Sequence, residues 1–457
     1  MLKGEAMREW TSRGRVSNSL LWMVVVGLAL RLALIVWLRY YDFTAADYVG
    51  RYAPPHWHFG FGYETGAVAF SLATGHGFSS PFGGSTGPTA WLAPLYPALC
   101  AVVFKAFGCF TLASGFVMLL INSIFSALTC LPLYRIGELT VGRKMGYWSG
   151  WIWATGVIFM RWPTTWVWDM AASTLLISIL FLQSLQLAKQ SSRQRWAGFG
   201  LLWGIAALTN PALLAFLPAA GLYPAVKLGR RHEPWFRHAV LSAVVLAVVI
   251  SPWLIRNRIT LGAWVFIRDN AAFEFSIGNY HRSNGMGWFG KHPTQNKWEY
   301  ANYQRLGERA YIASKGQLAA TFVKQYPQEF ARLCASRMVG FWMGTALEYG
   351  EPRREPWPLW LYWPLSALML AGLIVAVARG MEGGGLYLWL MALYPITYYL
   401  VFAQPRYRHP IEPEMLLLST YFVSVALQYV CERFLVKKPA RAELPQPQDR
   451  PVVADAG

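Results

Sequence analysis

Leu20-Leu-Trp-Met-Val-Val-Val-Gly-Leu-Ala-Leu-Arg31-Leu-Ala-Leu-Ile-Val-Trp-Leu38 is apolar throughout except for Arg31. A helix rises about 1.5 Å per residue, so a run of this length reaches across the roughly 30 Å of hydrocarbon in a bilayer. It is too long for the apolar core of a signal peptide and lacks a small-residue exit site, so it reads as an anchor. Comparable runs follow at Tyr147–Met160, Ala171–Leu187, Ala239–Leu254, Trp357–Val377, Leu386–Phe402 and Met415–Val430. Composition agrees with them. Only 14% of the 457 residues are charged while 55% are hydrophobic and 23 are Trp; a soluble chain carries about a quarter charged. The fold class expected is an all-α polytopic membrane protein.

Charge sets the expected topology. Lys3, Arg8, Arg13 and Arg15 precede the first span and place the amino terminus in the cytoplasm. Arg143/Lys144, Arg193/Arg195, Lys227/Arg230/Arg231, Arg379 and Lys437/Lys438/Arg441 occupy other gaps and belong on the same side. They all do so only if Trp91–Phe107, which contains Pro94, Pro97 and Lys105, does not cross. That segment reads as a juxtamembrane or re-entrant helix on the outer side. About ten spans result, the later nine near 112–134, 145–163, 170–189, 196–208, 210–226, 235–254, 356–378, 385–403 and 410–431. The organisation expected is an amino-terminal membrane module (1–254) with its first outer loop at 41–110, and a large outer loop (255–355) between spans seven and eight. Carboxy-terminal spans (356–432) and a disordered cytoplasmic tail (433–457) complete the chain.

The net charge of +18 would suggest nucleic acid in a soluble protein. Here the positive residues are scattered between spans and form no basic face, so anionic lipid or ligand is the expected partner and nucleic acid is not. Cys100, Cys109, Cys130, Cys334 and Cys431 show neither metal spacing nor a paired framework.

The unusual chemistry gathers on the outer side. The first loop reads Gly62-Tyr63-Glu64-Thr-Gly-Ala-Val-Ala69-Phe-Ser-Leu72-Ala-Thr-Gly75-His76-Gly77-Phe78. Val68, Ala69 and Leu72 have helical spacing, Gly75 and Gly77 stop the helix, and Glu64 lies at its start. A first-turn acid is ordinarily a helix-dipole partner. Here it leads into Gly87-Pro-Thr-Ala-Trp91-Leu-Ala-Pro94-Leu-Tyr96-Pro97 and the short outer helix. Arg161-Trp-Pro-Thr-Thr-Trp-Val-Trp168-Asp169 opens the fourth span; as a span-starting acid Asp169 has the same ordinary reading. Pro252-Trp253-Leu-Ile-Arg256-Asn257 ends the seventh span, with Asp269-Asn270 and Ser276-Ile-Gly278-Asn279 after it. Arg406-Tyr407-Arg408-His-Pro410-Ile-Glu412-Pro413 opens the last. Arg31, inside a span, must pair or line a cavity, and Asp169 is a candidate partner.

An acid ahead of an A-x-x-L-x-x-G-x-G-F helix, then P-x-Y-P, P-W-x-x-R-N and R-Y-R-x-P-x-x-P in this order, resembles the GT-C glycosyltransferases. That superfamily includes protein O-mannosyltransferases and the lipid A aminoarabinose transferase, and the resemblance runs over about 15–432. It implies an inverting sugar transfer from a polyprenyl-phosphate donor to a glycan, lipid or protein acceptor. The active site would lie on the periplasmic face of a bacterial inner membrane, with both termini cytoplasmic. The resemblance assigns Glu64 as catalytic base or acceptor-positioning acid, or Asp42 or Asp47 in its place, and Asp169 as a second acid. The leaving phosphate calls for Arg256, Arg406, Arg408 and Arg31, since guanidinium forks match phosphate oxygens. Arg406 and Arg408 could equally snorkel at the interface. Tyr63, Asn257, Asn279 and Tyr407 are the expected substrate contacts. The residues name no cofactor and leave a divalent metal open, for which His56, His58 and His76 beside Glu64 are the candidate ligands. The segment 295–326 is expected to form one amphipathic helix over the site. A flippase or transporter of lipid-linked saccharide, or a polysaccharide ligase, is the competing reading. The absence of internal repeats and the one-sided clustering of ionisable residues weigh against transport.

Overall fold

The computed structural model describes residues 2–39, 41–42, 59–62, 64–285, 287, 289–344 and 362–435. Those residues form helices joined by loops, with one isolated antiparallel bridge between Ser79 and Pro88. Helix α1 (Leu2–Leu38) precedes two short helices, α2 (Thr65–Ala73) and α3 (Leu95–Phe107). Next come α4 (Leu112–Leu128) with α5 (Cys130–Thr140), and α6 (Arg143–Thr155) with α7 (Val157–Thr165). Then follow α8 (Met170–Lys189), α9 (Arg193–Thr209), α10 (Leu217–Arg230) behind a 3-10 turn at Pro211–Phe216, and α11 (Phe236–Leu261). The large loop folds into α12 (Ala271–Gly278), α13 (Lys297–Leu306), α14 (Glu308–Gln325) and α15 (Pro327–Met343). The chain closes with α16 (Tyr362–Ala378), α17 (Gly384–Leu393), α18 (Ile396–Leu400), a 3-10 segment Pro405–Ile411 and α19 (Glu412–Val430).

The protein is an all-α polytopic membrane protein, and the described residues of each of the ten expected spans are mostly helical. Among the described residues, six segments are long and apolar enough to cross a membrane: Asn18–Leu38, Leu112–Thr140, Met170–Lys189, Pro211–Arg230, Phe236–Leu261 and Pro405–Arg433. The other four positions carry helices that are shorter or interrupted, as at Gly156 between α6 and α7. Surface chemistry supports this reading. On α11, Val240, Val244 and Val248 repeat every four residues and are all exposed, which suits hydrocarbon and not water. Inside, Trp153, Trp203, Phe181, Tyr387 and Leu417 belong to one apolar core. A Cβ at Gly137 would strike the backbone of Gly146, so α5 and α6 pack at a distance only small residues allow.

The expected single helix over 295–326 is two helices. Gly307, at φ +74° and ψ 161°, separates α13 from α14, a conformation that side chains other than hydrogen strongly disfavour. The tail beyond residue 435 lies outside the described residues.

Candidate active site

Glu64 sits at the start of α2, where the chain leaves a 3-10 turn at Phe59–Phe61, and is buried. Trp91 Nε1 donates to its Oε1 at 3.0 Å, and His292 Nε2 lies 2.9 Å from the same oxygen. His292 Nδ1 is in turn 2.6 Å from Thr294 Oγ1. Burial alone would raise the Glu64 carboxyl, but the His292 hydrogen bond and charge, with help from Trp91, outweigh it and hold Glu64 below its ordinary pKa.

Glu64 opens onto a cavity of about 420 Å³ that Asp169, Arg268, Glu274, His292 and Arg406 also line. Asp169, at the head of α8, accepts from Ser173 Oγ at 3.3 Å. Burial pushes it up to about 6, against the opposing pull of Arg268 and Arg406. Glu274 on α12 is pushed up to about 7 by burial, which Arg268 opposes and the charge of Glu64 reinforces. Arg268 Nε donates to Asn270 Oδ1 at 2.6 Å, and Asn270 Nδ2 donates to Glu274 Oε1 at 2.8 Å. The Arg406 guanidinium lies 4.5 Å from the Trp168 ring, 5.3 Å from Trp166 and 5.3 Å from Tyr407, so aromatic faces hold it in place. Leu92, Met170, Leu214, Phe266 and Phe402 form the apolar part of the wall.

Two loops distant in sequence close this space. Glu308 accepts from Ala90 N at 2.7 Å and Tyr303 Oη at 2.6 Å, and from the Thr89 hydroxyl. Asp269 N donates to Ala90 O at 3.0 Å. Burial, reinforced by Glu308, pushes the Asp269 carboxyl up to about 8, and burial raises Glu308 too. Arg256 completes the clasp, donating to Thr89 O at 2.6 Å and Phe78 O at 2.7 Å.

Residues 92–255 match the dolichyl-phosphate-mannose-protein mannosyltransferase family. Among solved structures, the chain is similar to the archaeal oligosaccharyltransferase AglB from Archaeoglobus fulgidus in complex with an inhibitory peptide and a dolichol-phosphate. The TM-score is 0.52 at 14% identity, covering 93% of this chain and 51% of that one. The chain has the GT-C fold. The apo form of the same oligosaccharyltransferase gives a TM-score of 0.51 at 12% identity, over 90% and 51% of the two chains. ArnT from Cupriavidus metallidurans bound to undecaprenyl phosphate gives 0.38 at 13% identity, over 92% and 81%. The chain thus spans about half the length of AglB. No curated protein matches the sequence.

In this GT-C fold the expected site residues separate into two groups. Glu64, Asp169, Arg406 and Tyr407 line one cavity. Arg31, Arg256, Asn257, Asn279 and Arg408 do not. Arg31 is buried and donates to Ser126 Oγ and to the carbonyls of Gly27, Trp153 and Ala154, rather than to Asp169. Arg408 pairs with Glu412 at 3.2 Å and donates to the carbonyls of Trp342 and Tyr362. Asn257 donates to Val265 O, and Asn279 to Phe275 O and Leu400 O while accepting from Arg337. Asp42 follows α1 and lies 3.9 Å from Arg39. Tyr63, Asp47, His56 and His58 lie outside the described residues. His76 is exposed, with Nδ1 2.8 Å from Thr74 Oγ1. Among the described residues no three His, Cys, Asp or Glu side chains gather in a metal-ligating group. Arg268, Glu274 and His292 were missed from sequence. They stand in no motif of the large loop, and the only pointer was the Asp269-Asn270 pair next to Arg268.

Proposed function

We propose that this protein is a glycosyltransferase that moves a sugar from a polyprenyl-phosphate donor to an acceptor at the outer face of a bacterial inner membrane. One observation carries the reading: Arg268 and Arg406 share an apolar-walled cavity with Glu64, Asp169 and Glu274. Cations are needed where the lipid phosphate develops charge, a carboxylate where the acceptor loses its proton, and apolar walls where the lipid enters. The dolichol-phosphate in the AglB complex supports a ligand of this class.

In the proposed step the acceptor's hydroxyl oxygen attacks the anomeric carbon and its proton passes to Asp169. As the new C–O bond forms, the bond from the anomeric carbon to the phosphate oxygen breaks, and the electron pair leaves on polyprenyl phosphate. A single displacement of this kind inverts the anomeric centre. Arg268 and Arg406 neutralise the departing phosphate. Glu64, held ionised by His292 and Trp91, orients the acceptor, and Tyr407 borders the sugar.

The test uses polyprenyl monophosphate, the common leaving group of all such donors. Arg406→Gln should weaken its binding by roughly tenfold to a hundredfold, the range of a lost charge-assisted contact at ~1.5–3 kcal/mol. Unchanged binding would remove Arg406 from the donor site. A wild-type protein that moves lipid-linked sugar between leaflets without transferring it would replace the enzyme reading with the flippase reading.

A further inference from the structure

A second cavity, about 660 Å³, lies between α10 and α17, away from the one described above. Its walls are apolar: Leu222 and Val226 on one side, Leu386, Trp389 and Leu393 on the other. Gly383–Gly385, which carry no side chains, also line it. It follows α10 from Pro218 to Arg230, within the membrane-length segment Pro211–Arg230. A groove open along a membrane-length helix forfeits dispersion contacts unless it is filled, and hydrocarbon is the material available to fill it.

One end of the groove is charged. Lys227 and Arg230 line it. Glu382 accepts from Tyr223 Oη at 2.6 Å and from Lys227 Nζ at 3.2 Å, and it also feels the charge of Lys189. Lys227 and Lys189 thus act on one carboxylate, and Arg230 adds a further positive charge at the same end. The Arg230 side chain is exposed and has no hydrogen-bond or ion-pair partner among the described residues. An apolar trough ending in surplus positive charge is complementary to a lipid with a negative headgroup.

The position of the charged end separates this lipid from the sugar donor. Pro211 lines the Glu64 cavity, and Arg230 ends the same segment, about 30 Å away by helix rise. A polyprenyl phosphate serving that cavity carries its phosphate at the Pro211 end. An anion at Arg230 belongs to the opposite leaflet.

We propose that the α10–α17 groove is a binding site for an anionic glycerophospholipid, with an acyl chain along Leu222, Val226 and Trp389 and its headgroup at Arg230 and Lys227. The site has a built-in reporter, since Trp389 is half-exposed and lines the trough. A Cβ at Gly385 meets no atom within 4 Å, so a larger side chain there fills the trough without displacing the helix.

The test reconstitutes the full chain into bilayers containing phosphatidylglycerol or phosphatidylcholine with brominated acyl chains. The Trp389 signal is the fluorescence difference between wild type and Trp389→Phe. Phosphatidylglycerol should quench it at a mole fraction roughly fivefold lower than phosphatidylcholine, and Arg230→Gln should erase about that factor. Gly385→Leu should remove the lipid-selective quenching while leaving both cations in place. Equal quenching by the two lipids in wild type would reduce the groove to ordinary annular contact and overturn the proposal. So would an Arg230→Gln curve identical to wild type. Displacement of brominated phosphatidylglycerol by an equal mole fraction of polyprenyl phosphate would reassign the groove to the donor lipid. None of these outcomes depends on sugar transfer, so the groove and the proposed activity stand or fall separately.

Discussion

Asp169 and Glu64 are carboxylates in one cavity whose surroundings drive them in opposite directions. Glu64 receives two hydrogen bonds on one oxygen and stays ionised, whereas burial holds Asp169 near 6. A base works best when its pKa lies near the working pH, so Asp169 is the better proton acceptor and Glu64 the better fixed charge. Asp169→Asn should therefore lower transfer by roughly 10²–10⁴-fold while polyprenyl phosphate still binds. A loss of less than tenfold would exclude it as the base. The wild-type rate should rise with pH through about 6, because in the proposed step Asp169 must be ionised to take the proton, and then level off. Glu274 titrates nearby, at about 7. Glu274→Gln should leave the acidic limb where it is, and a limb that moves with this variant would transfer the role to Glu274.

At the scale of elements, the site exists because two loops are clasped. Thr89 and Ala90 of the first loop meet Asp269 and Glu308 of the large loop. The clasp has a pH cost of definite sign. Asp269 has an ordinary pKa of 3.8 and a folded value of about 8, so the folded state binds more protons and loses stability as pH rises between those values. Asp269→Asn keeps the shape without the charge. It should flatten the decline in thermal midpoint between pH 6 and pH 8.5, and an unchanged slope would show that the pair is not the titrating element. The α13–α14 corner depends on Gly307 at φ +74°. Gly307→Ala should destabilise the protein by about 1–3 kcal/mol, measured by denaturant or thermal unfolding. A neutral substitution would mean that the corner relaxes freely.

For the whole molecule, the charge pattern predicts which side of the membrane each loop faces. Ser85 is exposed in the first loop, and Gln194 is exposed in the first turn of α9. With the native thiols as background, Ser85→Cys in intact cells should react with a membrane-impermeant maleimide. Gln194→Cys should react only after the membrane is opened. The reverse pattern would put the cavity in the cytoplasm and cancel the outer-face assignment.

The all-α, membrane-spanning class was legible in the chain itself. Crossing a bilayer requires uninterrupted apolar length, and that requirement is local and one-dimensional. Glu64, Asp169, Arg406 and Tyr407, which share one cavity, drew notice in the sequence for a related reason. Each stands at the mouth of a span or helix, where polar residues in an apolar context are conspicuous. Tertiary structure alone decided which arginines face the cavity. Arg256, Arg408 and Arg31 look like anion ligands in sequence, yet backbone carbonyls and Glu412 take up their hydrogen bonds. Burying a guanidinium demands partners, and which partners lie within reach is set by packing between helices far apart in the chain. Arg268, Glu274 and His292 show the converse. In sequence they are ordinary loop residues, and they become part of the site only when α12 and the following turn fold back over the first loop to meet Glu64.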